Sequence, residues 1–501
     1  MMKNFEQFGI KIPKILLPKN KDLKTWCVVA CDQYTQDENY WNRVAKNVGE
    51  KESTLNLILP EVYLGRTDTS LRIQKIHKTM NDYLENNIFD EESEFIYLER
   101  KTSYGRTRKG LVVAIDLDSY EWKPFNKAKI RATEATIVSR IPPRKEIRKG
   151  AALESPHIML LVDDSQKILI EKTGNLVKKN PPLYDGDLME NSGHVTGWAV
   201  KSQEAFDCVF NALSVLKEKN SDSSGNVFMF AVGDGNHSLA TAKAVWEEYK
   251  AEQIKSGVQE SELENSPIRY ALVELVNIYD EGLTFEPIHR VVFNADVQKL
   301  ILFLEKNLSG KIVDFSCESE LEDFVKNSKA NFGFVYFENG KTFYKGLQTQ
   351  IKELAVSKFQ PVLDKFIEQG NLELTKESEN LLSKTGAFVC DDGASLSDES
   401  SVETSDACVS KRGASSSDES STRSVSSCAK GKKVEIDYIH GASEVFRLGK
   451  VDGNLAIMLP PVAKESFFET INSCGSLPRK SFSMGEASEK RFYLECRRLF
   501  S

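Results

Sequence analysis

Apolar and polar positions follow two rhythms along this chain, and the switches between them mark its elements. Apolar residues at helical spacing predict helices over 37–48, 71–86, 204–219, 238–250, 297–307 and 353–369. Asp37 is placed to cap the first, and Tyr40, Trp41 and Val44 share one of its faces. In the 238–250 helix, Leu239, Ala242, Val245, Trp246 and Tyr249 point inward. Short apolar, β-branched runs predict strands over 26–30, 95–99, 110–116, 158–163, 227–232, 270–277, 435–440 and 455–459. The second and third of these form a hairpin around Tyr104-Gly105. Residues 486–497 read as a terminal amphipathic helix. The interleaving predicts a mixed α/β (α+β) fold, with mixed sheets and flanking helices.

One stretch breaks the rhythm. From about 370 to 432 the apolar periods stop, and 14 of the 38 residues from 391 to 428 are serine. Residues 393–401 read GASLSDESS and residues 413–421 read GASSSDESS, a slipped repeat. Such a segment buries too little apolar surface to offset its ordering entropy. It is expected to be a disordered insertion whose removal (391–430) leaves the melting temperature within a few degrees. The chain therefore divides into an N-terminal α/β region (1–125), a core region (126–369), the insertion (370–432) and a C-terminal segment (433–501). That last segment is too short to hold a core of its own and is expected to pack on the core region.

Composition narrows the class. Lys plus Arg is 66 and Asp plus Glu is 74, a net charge of −8, and 40% of residues are hydrophobic. This is a globular balance. The acidic excess argues against a nucleic-acid partner, which needs clustered cations. No apolar run approaches the roughly 20 residues of a membrane span. The N-terminal residues lack the apolar core of a signal peptide, so the expected location is cytoplasmic. The nine scattered cysteines fit reduced thiols. Cys27 and Cys31 are not a C-x-x-C pair, and Cys390, Cys408 and Cys428 have no histidine beside them.

The sharpest chemical feature is Gly233-Asp234-Gly235-Asn236-His237-Ser238, between a buried strand and a helix. Two glycines permit a tight turn and close approach of a ligand to the backbone, and a helix start favours an anion. Asp234 is placed for Mg²⁺ or a proton, and Asn236, His237 and Ser238 for phosphate oxygens. The alternative is a plain turn in which Asp234 or Ser238 only caps the helix.

Five of the six histidines (His157, His194, His237, His289 and His440) lie beside glycines, prolines, acids or Arg290, as in a site. No H-x₃-H or H-E-x-x-H spacing supports zinc. A second cluster, Arg131, Arg140, Arg144 and Arg148, is flanked by Glu134 and Glu154. Pro142-Pro143 forbids one continuous helix through it, so its members sit on different elements that can converge. It reads either as a salt-bridged turn or as a phosphate pocket with a glutamate base.

The segments WCVVACDQYTQDENYW, RATEATIVSRIPPRKEIRKGAALESPHIMLLVDD, GHVTGW, VGDGNHSLATAKAVWE, FEPIHRVVF, DYIHG and LPRKSFSMGEASEKRFYLECR together resemble the family named domain of unknown function 1015. That family is similar, more remotely, to the ParB/sulfiredoxin-like superfamily. The superfamily includes nucleotide binders and free-serine kinases with an Asp-Gly-His-His-Arg box. Asp234, Gly235 and His237 match its first, second and fourth positions, while Asn236 and Ser238 depart at the third and fifth. The absent arginine implies that the 131–148 cluster supplies the phosphate charge.

The resemblance implies a nucleotide-dependent phosphotransferase using Mg²⁺ and ATP or ADP on a small-molecule substrate, possible acceptors including free serine. Asp234, His237, Glu134 and Glu154 are its catalytic candidates. Gly233, Gly235, Asn236, Ser238 and the four arginines are its phosphate-binding candidates. The alternatives are a non-catalytic nucleotide-binding module and a metal-dependent hydrolase. No membrane partner is expected.

Overall fold

A computed structural model describes residues 3–384 and 433–500. A ten-stranded mixed sheet dominates it. Its main path runs Tyr184–Asp187, Gly193–Ala199, Ile96–Thr102, Thr107–Asp116, Tyr270–Asn277, Met159–Val162, Phe230–Asp234, Ile130–Arg131 and Tyr120–Glu121. Met159–Val162 is parallel to Tyr270–Asn277 but antiparallel to Phe230–Asp234. Phe230–Asp234 is in turn parallel to Ile130–Arg131. Successive residues serve two cores: Leu111, Val113 and Ile115 pack on one face, Val112 on the other. A sheet covered on both faces explains why these strands read as continuous apolar runs.

A second sheet of six strands is antiparallel throughout, in the order Lys311–Phe315, Lys341–Gln348, Phe332–Glu338, Asn454–Met458, His289–Phe293, Glu435–Ile439. Residues from both sides of the Ser-rich stretch build it. Asn454–Met458 lies between Phe332–Glu338 and His289–Phe293.

Three expectations are corrected. The helix expected to end at 369 continues as Ala355–Lys384, so the first part of the 370–432 segment is helical. The Ser-rich repeat itself lies outside the described residues. Residues 26–30 are not one strand: Leu23–Trp26 is a helical turn capped by Asp22, whose carboxylate accepts from the Lys24 N–H, and only Val28–Val29 is extended. The terminal helix over 486–497 does not form. In its place are the short 3₁₀ turn Ala487–Glu489 and the strands Phe492–Tyr493 and Arg497–Arg498. Phe492 through Arg497 are buried in succession, which a helix with one apolar face cannot satisfy. Pairing with Val28–Val29 and Leu153–Glu154 takes up their backbone instead. Among the described residues no helix is long and apolar enough to cross a membrane.

Candidate functional site

Phe230–Asp234 is buried over its first three residues and delivers Asp234 to its carboxyl end, where helix Asn236–Lys255 begins. The two glycines serve different ends. Gly235 has φ +84°, a left-handed conformation that disfavours any side chain. A Cβ at Gly233 would stand 2.9 Å from both Leu161 Cγ and Met484 Cε. A side chain at Gly233 would crowd those two groups, and Gly233 also lines the cavity described below.

Neither Asp234 nor Ser238 caps the helix. Its N-cap is Gly235, and no side chain caps it. Asp234 Oδ1 accepts from the Gly235 N–H at 3.0 Å, and Oδ2 stands 3.4 Å from Lys490 Nζ.

The three side chains expected on phosphate are engaged elsewhere. Asn236 accepts from the Thr133 N–H at 3.1 Å and donates to Thr133 Oγ1 at 3.3 Å. His237 Nε2 accepts from the Ile137 N–H at 3.3 Å. Burial, with Arg144 and Arg140 adding to it, lowers the His237 pKa to about 4, so the ring is neutral. Ser238 Oγ lies 3.3 Å from His157 Nε2. The Asn236 and His237 contacts pin the turn to the 133–137 segment.

The arginines separate. Pro142 and Pro143 sit in the first turn of the short helix Ile141–Arg148, where proline is tolerated. Arg140 and Arg144 there line one cavity of about 720 Å³ with Gly233, Asp234, Gly235, Asn236, His237 and Ser238. Arg144 is held by Glu61, through Nε at 3.0 Å and through Nη2.

Arg131 and Arg148 are not among the cavity's lining residues. Arg131 donates to the Ala128 carbonyl at 2.9 Å and to Asn472 at 2.7 Å, over the Phe228 ring. Arg148 pairs with Glu154 at 2.6 Å. Glu154 also receives Arg497 at 2.7 Å and the Leu272 N–H at 2.9 Å. Burial alone would raise its pKa, but the two guanidiniums hold it below the usual carboxylate value. The structure thus puts Glu154 in a buried ion pair beside the site, away from the role of a base.

Glu134 lines the cavity and behaves in the opposite way. Burial, reinforced by the charge of Asp234, pushes its pKa up to about 7, against the opposing N–H of Ser481. The remaining histidines divide. His440 lines the cavity. His194 bridges Asp187 and Asp185 at 2.8 and 2.9 Å on an exposed hairpin. His289 accepts from the Leu459 N–H at 3.0 Å, and burial lowers its pKa to about 4. Arg290 is buried against Gln360, at 2.7 Å, and the Tyr438 ring. Among the described residues no three of His, Cys, Asp or Glu come together as a metal cluster.

His157 is the centre of a polar seam. Its Nδ1 faces the Tyr493 hydroxyl at 2.7 Å, and its Nε2 stands 3.6 Å from Asp32, which lines the cavity. Burial disfavours the charged ring, but the Asp32 carboxylate outweighs it and raises the His157 pKa. Asp32 is itself held below the usual carboxylate range by His157, despite its burial.

Sequence reasoning missed Asp32, Glu61, Lys480, Lys490 and Tyr493. Reading 486–497 as a helix hid the last two. The stretch 479–498 carries Arg479, Lys480, Lys490, Arg491, Arg497 and Arg498, a second cationic run that the concentration on 131–148 passed over. Among the described residues Arg140, Arg479 and Lys480 enter no ion pair.

Residues 13–366 match the family model described as protein of unknown function (DUF1015). No curated protein matches the chain. Among solved structures, a free serine kinase in complex with AMP is 12% identical, with a TM-score of 0.32 over 77% of this chain and 92% of that one. A mutant free serine kinase in complex with ADP is 10% identical, with a TM-score of 0.33 over 77% and 92%. A conserved hypothetical protein from Pyrococcus furiosus is 10% identical, with a TM-score of 0.30 over 75% and 90%.

Proposed function

We propose a function for this chain, which belongs to the family of proteins of unknown function termed DUF1015: it is a nucleotide-dependent phosphotransferase acting on a small hydroxyl compound. One observation carries the reading. The uncapped start of a 20-residue helix and the side chains of Arg140, Arg144, Lys480 and Lys490 share one cavity of about 720 Å³ with Glu134. A helix start supplies only about half a positive charge. Arg140 and Lys480, which enter no ion pair among the described residues, add charge for a di- or triphosphate, Arg144 and Lys490 being paired with Glu61 and Asp234, and the volume suits a nucleotide-sized ligand.

The carboxylates sort by partner. Asp32 is committed to His157 and Glu61 to Arg144. Asp234, with Lys490 at 3.4 Å, and Glu134 line the cavity at the turn. Mg²⁺ is commonly held by one or two carboxylates together with substrate phosphates, and Asp234 fits that donor set. When bound, Mg²⁺ would neutralise phosphate charge there. With a pKa of about 7, Glu134 is poised to take a proton at neutral pH. The acceptor oxygen bonds to the γ-phosphorus as the bond from that phosphorus to the β–γ bridging oxygen breaks. The nucleoside diphosphate leaves with the electron pair, and the acceptor's proton passes to Glu134.

The test is a thermal-shift titration of the full chain with ADP and with adenosine, followed by ADP release from ATP and Mg²⁺ with and without L-serine and other small alcohols. The expected result is stabilisation by ADP well above that by adenosine, and acceptor-dependent turnover. Equal effects of ADP and adenosine sink the phosphate site. Binding without turnover for any acceptor leaves a nucleotide-sensing module in its place.

A further inference from the structure

We propose that the acceptor carries an aliphatic group, seated in a second cavity that adjoins the first; this rests on the phosphotransfer reading above. The second cavity has a volume of about 150 Å³. Leu57, Ile58, Leu59, Met80, Ile147 and Ile158 form its apolar lining. Glu61, Leu64, Arg144 and Ser238 line both cavities, so the two share a wall. Polar groups stand at that boundary, and the Arg148–Glu154 ion pair, with Ser155 and Thr241, lines the rest of the small cavity's polar side. His157, which lines the small cavity, reaches Ser238 at 3.3 Å and Asp32, which lines the wide one, at 3.6 Å.

This geometry orients an amphipathic ligand. An aliphatic tail lies among the leucine and isoleucine side chains, and a hydroxyl reaches the seam, where Ser238, His157 and Asp32 offer hydrogen bonds. The volume equals about five water volumes at ~30 Å³ each, room for roughly four or five carbons. It is too small for a nucleotide, which the wide cavity accommodates. Free serine has no aliphatic group to cover the leucine and isoleucine side chains of this lining. The transfer balances as before. The hydroxyl oxygen bonds to the γ-phosphorus, the bond to the β–γ bridging oxygen breaks, the diphosphate departs with the electron pair, and the hydroxyl proton goes to Glu134.

The experiment uses the full chain and 3-methyl-1-butanol as the probe. Its binding is followed by ligand-observed NMR, and its turnover with ATP and Mg²⁺ is compared with those of ethanol and L-serine. Two variants fill the cavity, Leu59→Phe on its wall and Ile147→Phe on a half-buried helix position, with the ADP thermal shift as the control for a folded wide cavity. The expected result is binding in the wild type and its loss in a variant that retains the ADP shift. The kcat/KM for the branched alcohol should exceed that for ethanol by about tenfold or more, as apolar pockets discriminate by methylenes. No binding of the alcohol, binding unchanged in both variants, or serine turned over as fast as the branched alcohol each overturns the proposal. Displacement of the alcohol by adenosine also overturns it and makes the small cavity a nucleobase pocket. If ADP fails to bind while the alcohol still does, the phosphotransfer reading falls and the acceptor role falls with it. The two failures are thus read on different ligands.

Discussion

The two large sheets handle charge differently. In the six-stranded sheet the core is aromatic and aliphatic, with Phe332, Phe334, Tyr336, Leu455 and Ile457 buried together; Arg290 is buried there against the neutral Gln360 and the Tyr438 ring, and ion pairs such as Lys345–Asp314, Arg447–Glu444 and Lys450–Glu318 stay on the outside. The ten-stranded sheet buries charge. Arg491 bridges Glu274 at 3.3 Å and Glu495 at 2.5 Å, and Arg108 meets Glu274 at 3.0 Å. Where Phe230–Asp234 stands between an antiparallel and a parallel neighbour, its carboxyl end opens into a crevice, the usual place for ligands in open α/β sheets. The buried ion pairs of Arg108, Glu274, Arg491 and Glu495 tie the stability of this sheet to complete pairing.

Substitutions that break one sheet and spare the other sharpen this contrast. The largest effect is expected from Asp234→Asn. The change is nearly isosteric, so turnover of ATP should fall beyond detection while the melting temperature stays within a few degrees. A variant that keeps full activity would remove Asp234 from the chemistry.

Next is Arg491→Leu, which leaves Glu274 and Glu495 short of a buried partner. Urea denaturation should show a loss of about 3–5 kcal/mol.

Glu134 comes third, through pH. Its folded pKa, about 7, lies above the ordinary 4.5, so its contribution to stability is full below pH 4.5 and is lost as pH rises through 7. The stability of the wild type relative to Glu134→Gln should therefore shrink over that window, by no more than about 3 kcal/mol. The wild-type rate should rise through the same window as the base deprotonates. His237 runs the other way. Its folded pKa of about 4 is below the ordinary 6.5, so its contribution is full above pH 6.5 and lost as pH falls through 4.

The smallest effect is expected in the other sheet. Ile457→Val should cost about 0.5–1.5 kcal/mol in denaturation and leave the ADP thermal shift unchanged.

Local periodicity made much of the fold legible. The run 270–277 and the helix 297–307 form over those residues, and Asp37 caps its helix through the Tyr40 N–H. In each, the signal and the structure depend on the same few neighbouring residues. The site was legible in halves. Charge density drew attention to 131–148 but carried no information on pairing. Arg140 and Arg144 reach the cavity, while Arg148 and Glu154 neutralise one another. Lys480, Lys490 and Tyr493 were out of reach for a different reason. Their segment takes its shape from strands hundreds of positions away, so no local pattern reports it.

That segment also sets a timetable. The hydrogen bond between Tyr493 and His157 spans 336 positions, and the Trp26 indole donates to the Leu494 carbonyl across 468. Closing such loops costs chain entropy that only a formed sheet can offset. Contacts of this separation also slow folding. The cavity wall that 477–498 supplies is therefore expected to close after the sheets assemble. Refolding followed by far-ultraviolet circular dichroism should run ahead of refolding followed by ADP binding, with the lag marking the docking of 477–498.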